Sequence, residues 1–403
     1  MDRPDPTAGF TDMQWFMHGQ RNVAFFGAFT RRDLSPADLL AAARSLIELA
    51  PQLRTGAPGM PGELLPDDLL ARLIYRESVD DLDGFPDRWV DSGAAIFAEP
   101  GLPLFRLRYA ALATPTTDGR HGFLLVQVAH ALVEGADSAL LSRSQSAAHP
   151  VSQSARRTPP LVKAAANAIG AVLASLHLLA GNLAVIRPGP YAYASRVFER
   201  AQFSHFARGI GVRQRALFYA LVMHTLFDVE GPHRRRSISS TYSVVDDGGG
   251  ADRDSFMRMR MLFAVFHPDG DLATFARAVD RDLAQSEAKE SGFNAEMNAA
   301  GIGVHRRLSR IIPFAYGPRL FQFMPYEVVL GLIPPHRLTG RLTADLLEPV
   351  YAGAALAGSN ACVIVPNRAF VTFNFFIQDR LLPRIPRLDA AISALIARSS
   401  AGL

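Results

Sequence analysis

The eight residues HALVEGAD, His130 to Asp137, directly follow the apolar run FLLVQVA at Phe123–Ala129. A run so continuously apolar reads as a strand covered on both faces. His130 therefore stands where that strand ends, with Glu134 four residues on and Gly135 beside it. Imidazole is the side chain whose unperturbed pKa lies nearest neutrality, so a histidine at a strand end facing a crevice can take and return a proton. Gly135 lets the chain turn sharply, which allows the Glu134 carboxylate to fold beneath the strand end and pair with an arginine. Asp137 or Ser138 can cap a following helix over DSALLSRSQSAA. The competing reading makes His130 a core histidine bonded to a backbone carbonyl.

Other chemistries lack their residues. There is no GxSxG elbow, no GxxxxGK phosphate loop and no HExxH helix. GIGVR from Gly209 and GIGVH from Gly301 begin like a dinucleotide pattern but end in the wrong residue, and neither follows a clear strand. Gly248–Gly250, after Asp246 and Asp247, reads as a flexible loop. Arg234–Arg236 reads as a solvated turn that is also a candidate phosphate grip. The lone Cys362 forms no internal disulfide, and no zinc spacing exists, so neither a metal nor a bound cofactor is expected.

A chain of 403 residues exceeds what one hydrophobic core usually supports, so two domains or two lobes are expected. The net charge of +4 is small for this length and not gathered into tails, which gives no reason to expect nucleic acid as a partner. The basic side chains are nearly all arginine, with lysine only at Lys163 and Lys289, a skew that fits a GC-rich bacterial genome. The start, MDRPDPTAGF, has no basic and then apolar leader pattern, so a cytoplasmic location is expected. Ala164–Ile186 runs uncharged for long enough to span a bilayer by length, but Asn167, His177 and Asn182 interrupt it. A buried or surface-lying helix is the expectation, with peripheral membrane contact as the alternative.

The elements around the histidine follow from pattern. NVAFFGAFT reads as a strand and SPADLLAAARSLIELA as a helix capped by Ser35. Residues 57 to 66 are loop, and the polar stretch from Tyr75 leads into two strands, LFRLRYAAL and GFLLVQVAH, paired through TPTTDGRH. After a linker at 149 to 160, helices are expected at RQRALFYALVMHTLFDV, DLATFARAVDRDLAQSEAKE and RLDAAISALIA. Strands are expected at RSISSTYSVV, MRMRMLFAVF, NACVIV and AFVTFNFFIQ. The division is a first lobe over 1–148, a crossover with the apolar helix over 149–190, and a second lobe over 191–403. The class is α/β, two lobes of mixed sheet with flanking helices.

AHALVEGADSALL resembles the HHxxxDG signature of the CoA-dependent acyltransferase superfamily, the chloramphenicol acetyltransferase-like fold. His130 matches its second histidine and Gly135 its glycine, while Ala129 replaces the first histidine and Glu134 the aspartate. PQLR, RVFERAQFSHFARGIGVRQRALFYALVMHTLF, EPVYAGA and VPNRAFVTFNFFIQD resemble, in order and spacing, segments of the bacterial wax ester synthase/diacylglycerol acyltransferase branch. The branch's SNxPGP stretch falls where this chain reads TADLLEP, and Ser359 and Asn360 lie beyond that point. Its PVSxR strand end appears as YSVVDD, without the arginine.

The resemblance implies two lobes with an active-site tunnel between them. It implies His130 as general base for an acceptor hydroxyl or amine attacking an acyl thioester, with acyl-CoA or an acyl-carrier protein as donor. It implies a lipid or small-molecule acceptor. Asn374 is the candidate oxyanion donor, and Glu134 with Gly135 shape the motif's turn. A cyclase or isomerase using His130 without a thioester, and a non-catalytic lipid-binding relative, are the alternatives.

Overall fold

The computed structural model describes residues 15, 18, 21–49, 53, 65–91, 93–97, 102–130, 132, 160–183, 191–230, 235–245, 259–268, 270–289, 297, 300–304, 306–307, 327–333, 345–356 and 359–400. The first part runs β1 (Val23–Thr30), α1 (Pro36–Leu49), α2 (Asp67–Ala71), β2 (Ile74–Val79), α3 (Phe85–Trp89), β3 (Phe105–Leu112) and β4 (Gly122–Ala129). After α4 (Pro160–Leu183) come β5 (Tyr191–Glu199), α5 (Arg200–Ile210), α6 (Gln214–Leu226), β6 (Ile238–Val245), β7 (Met259–Phe266) and α7 (Leu272–Lys289). The chain closes through β8 (Val328–Leu332), β9 (Leu346–Ala355), β10 (Asn360–Pro366), β11 (Phe370–Gln378) and α8 (Pro386–Ser400).

Two mixed sheets result. The first has the order β2-β3-β4-β1-β9 and the second β5-β11-β10-β8-β6-β7. All eight residues of β4 are buried, as its nearly continuous apolar sequence demands of a strand with neighbours on both sides. It pairs antiparallel with β3 (Phe105 opposite Val128) and with β1 (Val23 opposite Ala129). The Ser35 cap forms as a reciprocal pair. Asp38 N–H donates to Ser35 Oγ at 3.2 Å and Ser35 N–H to Asp38 Oδ2 at 2.9 Å, which satisfies two donors at the start of α1.

The second lobe is organised by α6, a helix buried over ten of its thirteen residues, from Ala216 to Leu226. A helix apolar on all sides belongs in a core. Phe218 packs edge-on against Phe203 and against Phe373 of β11. Of the two GIG stretches, Gly209 to Gly211 ends α5, Gly211 taking φ of 73° at its C-cap, and Gly301–Val304 is helical.

One strand departs from the expected division at 191. β9 lies in the second part of the sequence yet pairs antiparallel with β1, Val23 opposite Ala355 and Thr30 opposite Leu346. The core of the first lobe accordingly holds Val350, Tyr351, Ala352 and Ala355, together with Val365 and Phe376 from the second sheet. Gly353 allows this close approach, because a Cβ there would sit 2.6 Å from Phe25 Cζ. β2, which lies within the stretch read as polar connection, pairs parallel to β3 at the sheet edge. None of its residues is fully buried, which suits an edge strand.

Candidate active site

His130 follows the last residue of β4. Its N–H donates to Asn22 O, and Ala129 N–H donates to Leu104 O, both at 2.9 Å, so the strand end is tied to the chain on either side. Leu132 N–H returns to Ala129 O at 2.9 Å, closing a turn in which His130 takes the second position. His130 is half-buried, whereas Ala129 is fully buried in the first core. The position at which the resemblance expects a supporting histidine is a methyl group with packing on all sides. Glu134, Gly135 and Asp137, with the helix expected over 137 to 148, lie outside the described residues.

Asn374 sits in the middle of β11. Alternation along the strand turns Thr372, Asn374 and Phe376 to one face and Phe373, Phe375 and Ile377 to the other. Phe376 belongs to the first core and Phe373, Phe375 and Ile377 to the second, so Asn374 faces β9 and the first lobe. Its amide is fully engaged. Nδ2 donates to Val363 O at 3.0 Å and to Thr372 Oγ1 at 3.2 Å, and Oδ1 accepts from the Tyr193 hydroxyl at 2.8 Å.

Tyr193 opens a seam between the lobes that the sequence reading missed. Its ring lies edge-on to Phe25 of β1, with centroids 5.2 Å apart. Two residues along β5, Ser195 N–H donates to Asp87 Oδ1 of α3 at 2.7 Å, and the Ser195 hydroxyl donates to the same oxygen. Arg196 lies 3.6 Å from Asp87 Oδ2 and donates through Nε to Asp389 at 3.1 Å. Burial pushes the Asp87 carboxyl above its ordinary range, although Ser195 and Arg196 both favour the ionised form. Burial also raises the Tyr351 phenol to about 12 and the Tyr193 phenol well above its usual value, so both keep their protons at neutral pH.

Gln127 is a second residue that pattern alone could have flagged, being the one amide within FLLVQVA. It is fully buried, and its Nε2 donates to Asp91 Oδ1 at 2.7 Å. Its Oε1 has no hydrogen-bond partner among the described residues. An orphaned buried carbonyl of this kind costs about 1–3 kcal/mol.

The remaining sequence candidates lie elsewhere. Asn360 clamps the start of β10, donating to Glu327 O at 3.1 Å and accepting from Gln378 N–H at 3.0 Å. Arg235, of the basic triplet, pairs with Glu327 and lies over the Phe227 ring. It borders a cavity of about 300 Å³ shared with Asp228, Asn360, Arg380 and Arg384. Cys362 is buried, and burial pushes its thiol well above the usual range, which leaves it unreactive.

No protein-family model matches the sequence, and no curated protein matches it. Solved structures do. The trichothecene 15-O-acetyltransferase of Fusarium sporotrichioides superposes with a TM-score of 0.56 at 11% identity, over 96% of this chain and 94% of its own. The wax ester synthase/diacylglycerol acyltransferase of Marinobacter aquaeolei VT8 gives 0.53 at 14% identity, over 95% of each chain. The first condensation domain of the CDA synthetase gives 0.54 at 14% identity, over 96% of this chain and 94% of its own.

The chain has the two-lobed acyltransferase and condensation-domain fold.

At these identities the likeness is one of architecture, and it extends over nearly the whole length of both partners.

Proposed function

We propose that the protein is an acyltransferase in which His130 is the general base. An acceptor hydroxyl or amine attacks the carbonyl carbon of an acyl thioester while its proton passes to the imidazole. The carbon–sulfur bond then breaks, the imidazolium returns the proton to the departing thiolate, and an ester or amide and a free thiol leave. The thioester is carried on CoA or on the pantetheine arm of a carrier protein, and the acceptor is a lipid or small-molecule alcohol. The observation that carries the reading is the position of His130, at the exit of the buried central strand, in a fold shared with an acetyltransferase, a wax ester synthase and a condensation domain.

The tetrahedral oxyanion needs fixed donors. Asn374 can supply one only by releasing its longer bond to Thr372, with Tyr193 continuing to hold the amide from the other side. On this reading Glu134 takes the part of the motif's aspartate. Incubation with a panel of acyl-CoAs and alcohols, with free thiol followed and products weighed by mass spectrometry, tests the assignment. Acceptor-dependent thiol release supports it, and an intact thioester beside a copurifying lipid supports a non-catalytic lipid-binding protein instead. The buried methyl of Ala129, where the motif has a histidine, is what keeps that second reading in view.

A further inference from the structure

The cavity of about 300 Å³ beside Arg235 lies at the lower end of the volumes that hold small molecules. Its apolar lining is buried and consists of Leu226, at the end of α6, with Phe227 and Leu381. Its polar lining is charged. Arg380 and Arg384 come from the 3₁₀ turn Asp379–Arg384 that follows β11, and Arg235 comes from the segment before β6. Of the basic triplet read from sequence as a candidate phosphate grip, Arg235 is therefore the member that the structure brings to a cavity. Gln378, also in the lining, is four residues beyond Asn374 on β11, about 13 Å along the strand, so this cavity is separate from the candidate active site.

The ion pairs around the cavity leave positive charge over. Asp228 is shared by two guanidiniums, Arg387 at 2.9 Å and Arg384 at 3.1 Å, which hold its carboxyl below the ordinary range. Glu327 pairs with Arg235. Arg380 has no carboxylate. Its one hydrogen bond among the described residues runs from Nε to the neutral Gln378 Oε1 at 2.7 Å, so both of its terminal nitrogens are without a protein acceptor. The network thus holds four guanidiniums against two carboxylates, a surplus of two positive charges. Asp379, exposed on the same turn, does not line the cavity. A phosphate monoester carries about −1.5 to −2 at neutral pH and accepts from a guanidinium fork through two oxygens, whereas a carboxylate brings a single charge. We propose that the cavity binds a phosphate group, free or on a small phosphate monoester, with Arg380 donating to its oxygens and Arg235 and Arg384 supplying the surrounding positive field. The binding is independent of whether His130 transfers an acyl group.

The test is calorimetric titration of the full chain with inorganic phosphate and with glycerol 3-phosphate, against sodium chloride of equal ionic strength as the blank. Saturable binding of at least one probe is expected, and added salt should weaken it. Tighter binding of glycerol 3-phosphate identifies a phosphorylated small molecule as the ligand, and tighter binding of inorganic phosphate identifies the free anion. Arg380→Gln should weaken binding by about tenfold or more through the loss of charge-assisted hydrogen bonds. Arg281→Gln, at an exposed arginine of α7, should leave it unchanged. Because Arg380 is exposed, its variant should melt like the wild type without ligand, and the tighter probe should raise the melting temperature of the wild type more than that of the variant. No heat beyond the blank for either probe, equal affinity in Arg380→Gln, or an equal loss in Arg281→Gln would each overturn the proposal.

Discussion

Tyr193 and Asn374, 181 positions apart, meet across β5 and β11 with the phenol donating to the amide carbonyl at 2.8 Å. Because burial keeps the phenol protonated, the direction of the bond is fixed, and it orients both amide protons of Asn374 toward Val363 O and Thr372 Oγ1. Tyr193→Phe leaves Asn374 Oδ1 buried without a donor, at a cost of about 1–3 kcal/mol. A denaturant melt measures that loss, and an unchanged midpoint would show that the amide is held without the phenol.

His130→Ala should lower acyl transfer by roughly 100- to 10,000-fold while leaving the melt close to wild type, since the turn is held by backbone bonds. A loss of less than tenfold in acceptor-dependent thiol release would remove His130 as the base.

Asp87 sets a pH dependence of stability. Its folded carboxyl titrates above its ordinary value because of burial, so the folded state binds the proton more tightly than the unfolded one. The contribution is complete below the ordinary carboxylate range and is lost as pH rises through the raised value. Asp87→Asn, whose carbonyl can still accept from Ser195, should flatten that slope in a series of melts across the mildly acidic range. A slope identical to wild type would mean that other groups produce it.

Gly170→Ala directs a methyl at the Met297 backbone carbonyl, which cannot rotate away, and so pushes α4 off its seat. Overpacking of this kind costs about 1–3 kcal/mol. Faster proteolysis within α4, read by mass spectrometry of the fragments, is the expected result. Unaltered cleavage would place the helix's attachment elsewhere.

The sequence made some of this architecture legible and hid the rest for identifiable reasons. β4, α1 and α6 are readable because each buries a pattern that only one local structure satisfies: a nearly continuous apolar run, a capped periodic run, and a run apolar all round. β2 carries arginine and glutamate at a sheet edge and so resembles a loop, and β8 is only five residues long. β9 pairs with a partner more than three hundred positions away, and nothing local in LLEPVYAGAA announces which sheet it will join. His130 was visible because it breaks a buried run. The seam of Asp87, Ser195, Tyr193 and Asn374 was not, since its members are ordinary residues until the two sheets meet.

The late arrival of β9 also orders events during synthesis. Until the ribosome has released Ala355, β1 presents a bare edge, with the amides that will pair with β9 open to any extended chain nearby. A nascent product halted in the crossover would expose that edge indefinitely. Separately expressed halves should be aggregation-prone for the same reason, and a short peptide matching Leu346–Ala355 is the natural agent to protect the first of them.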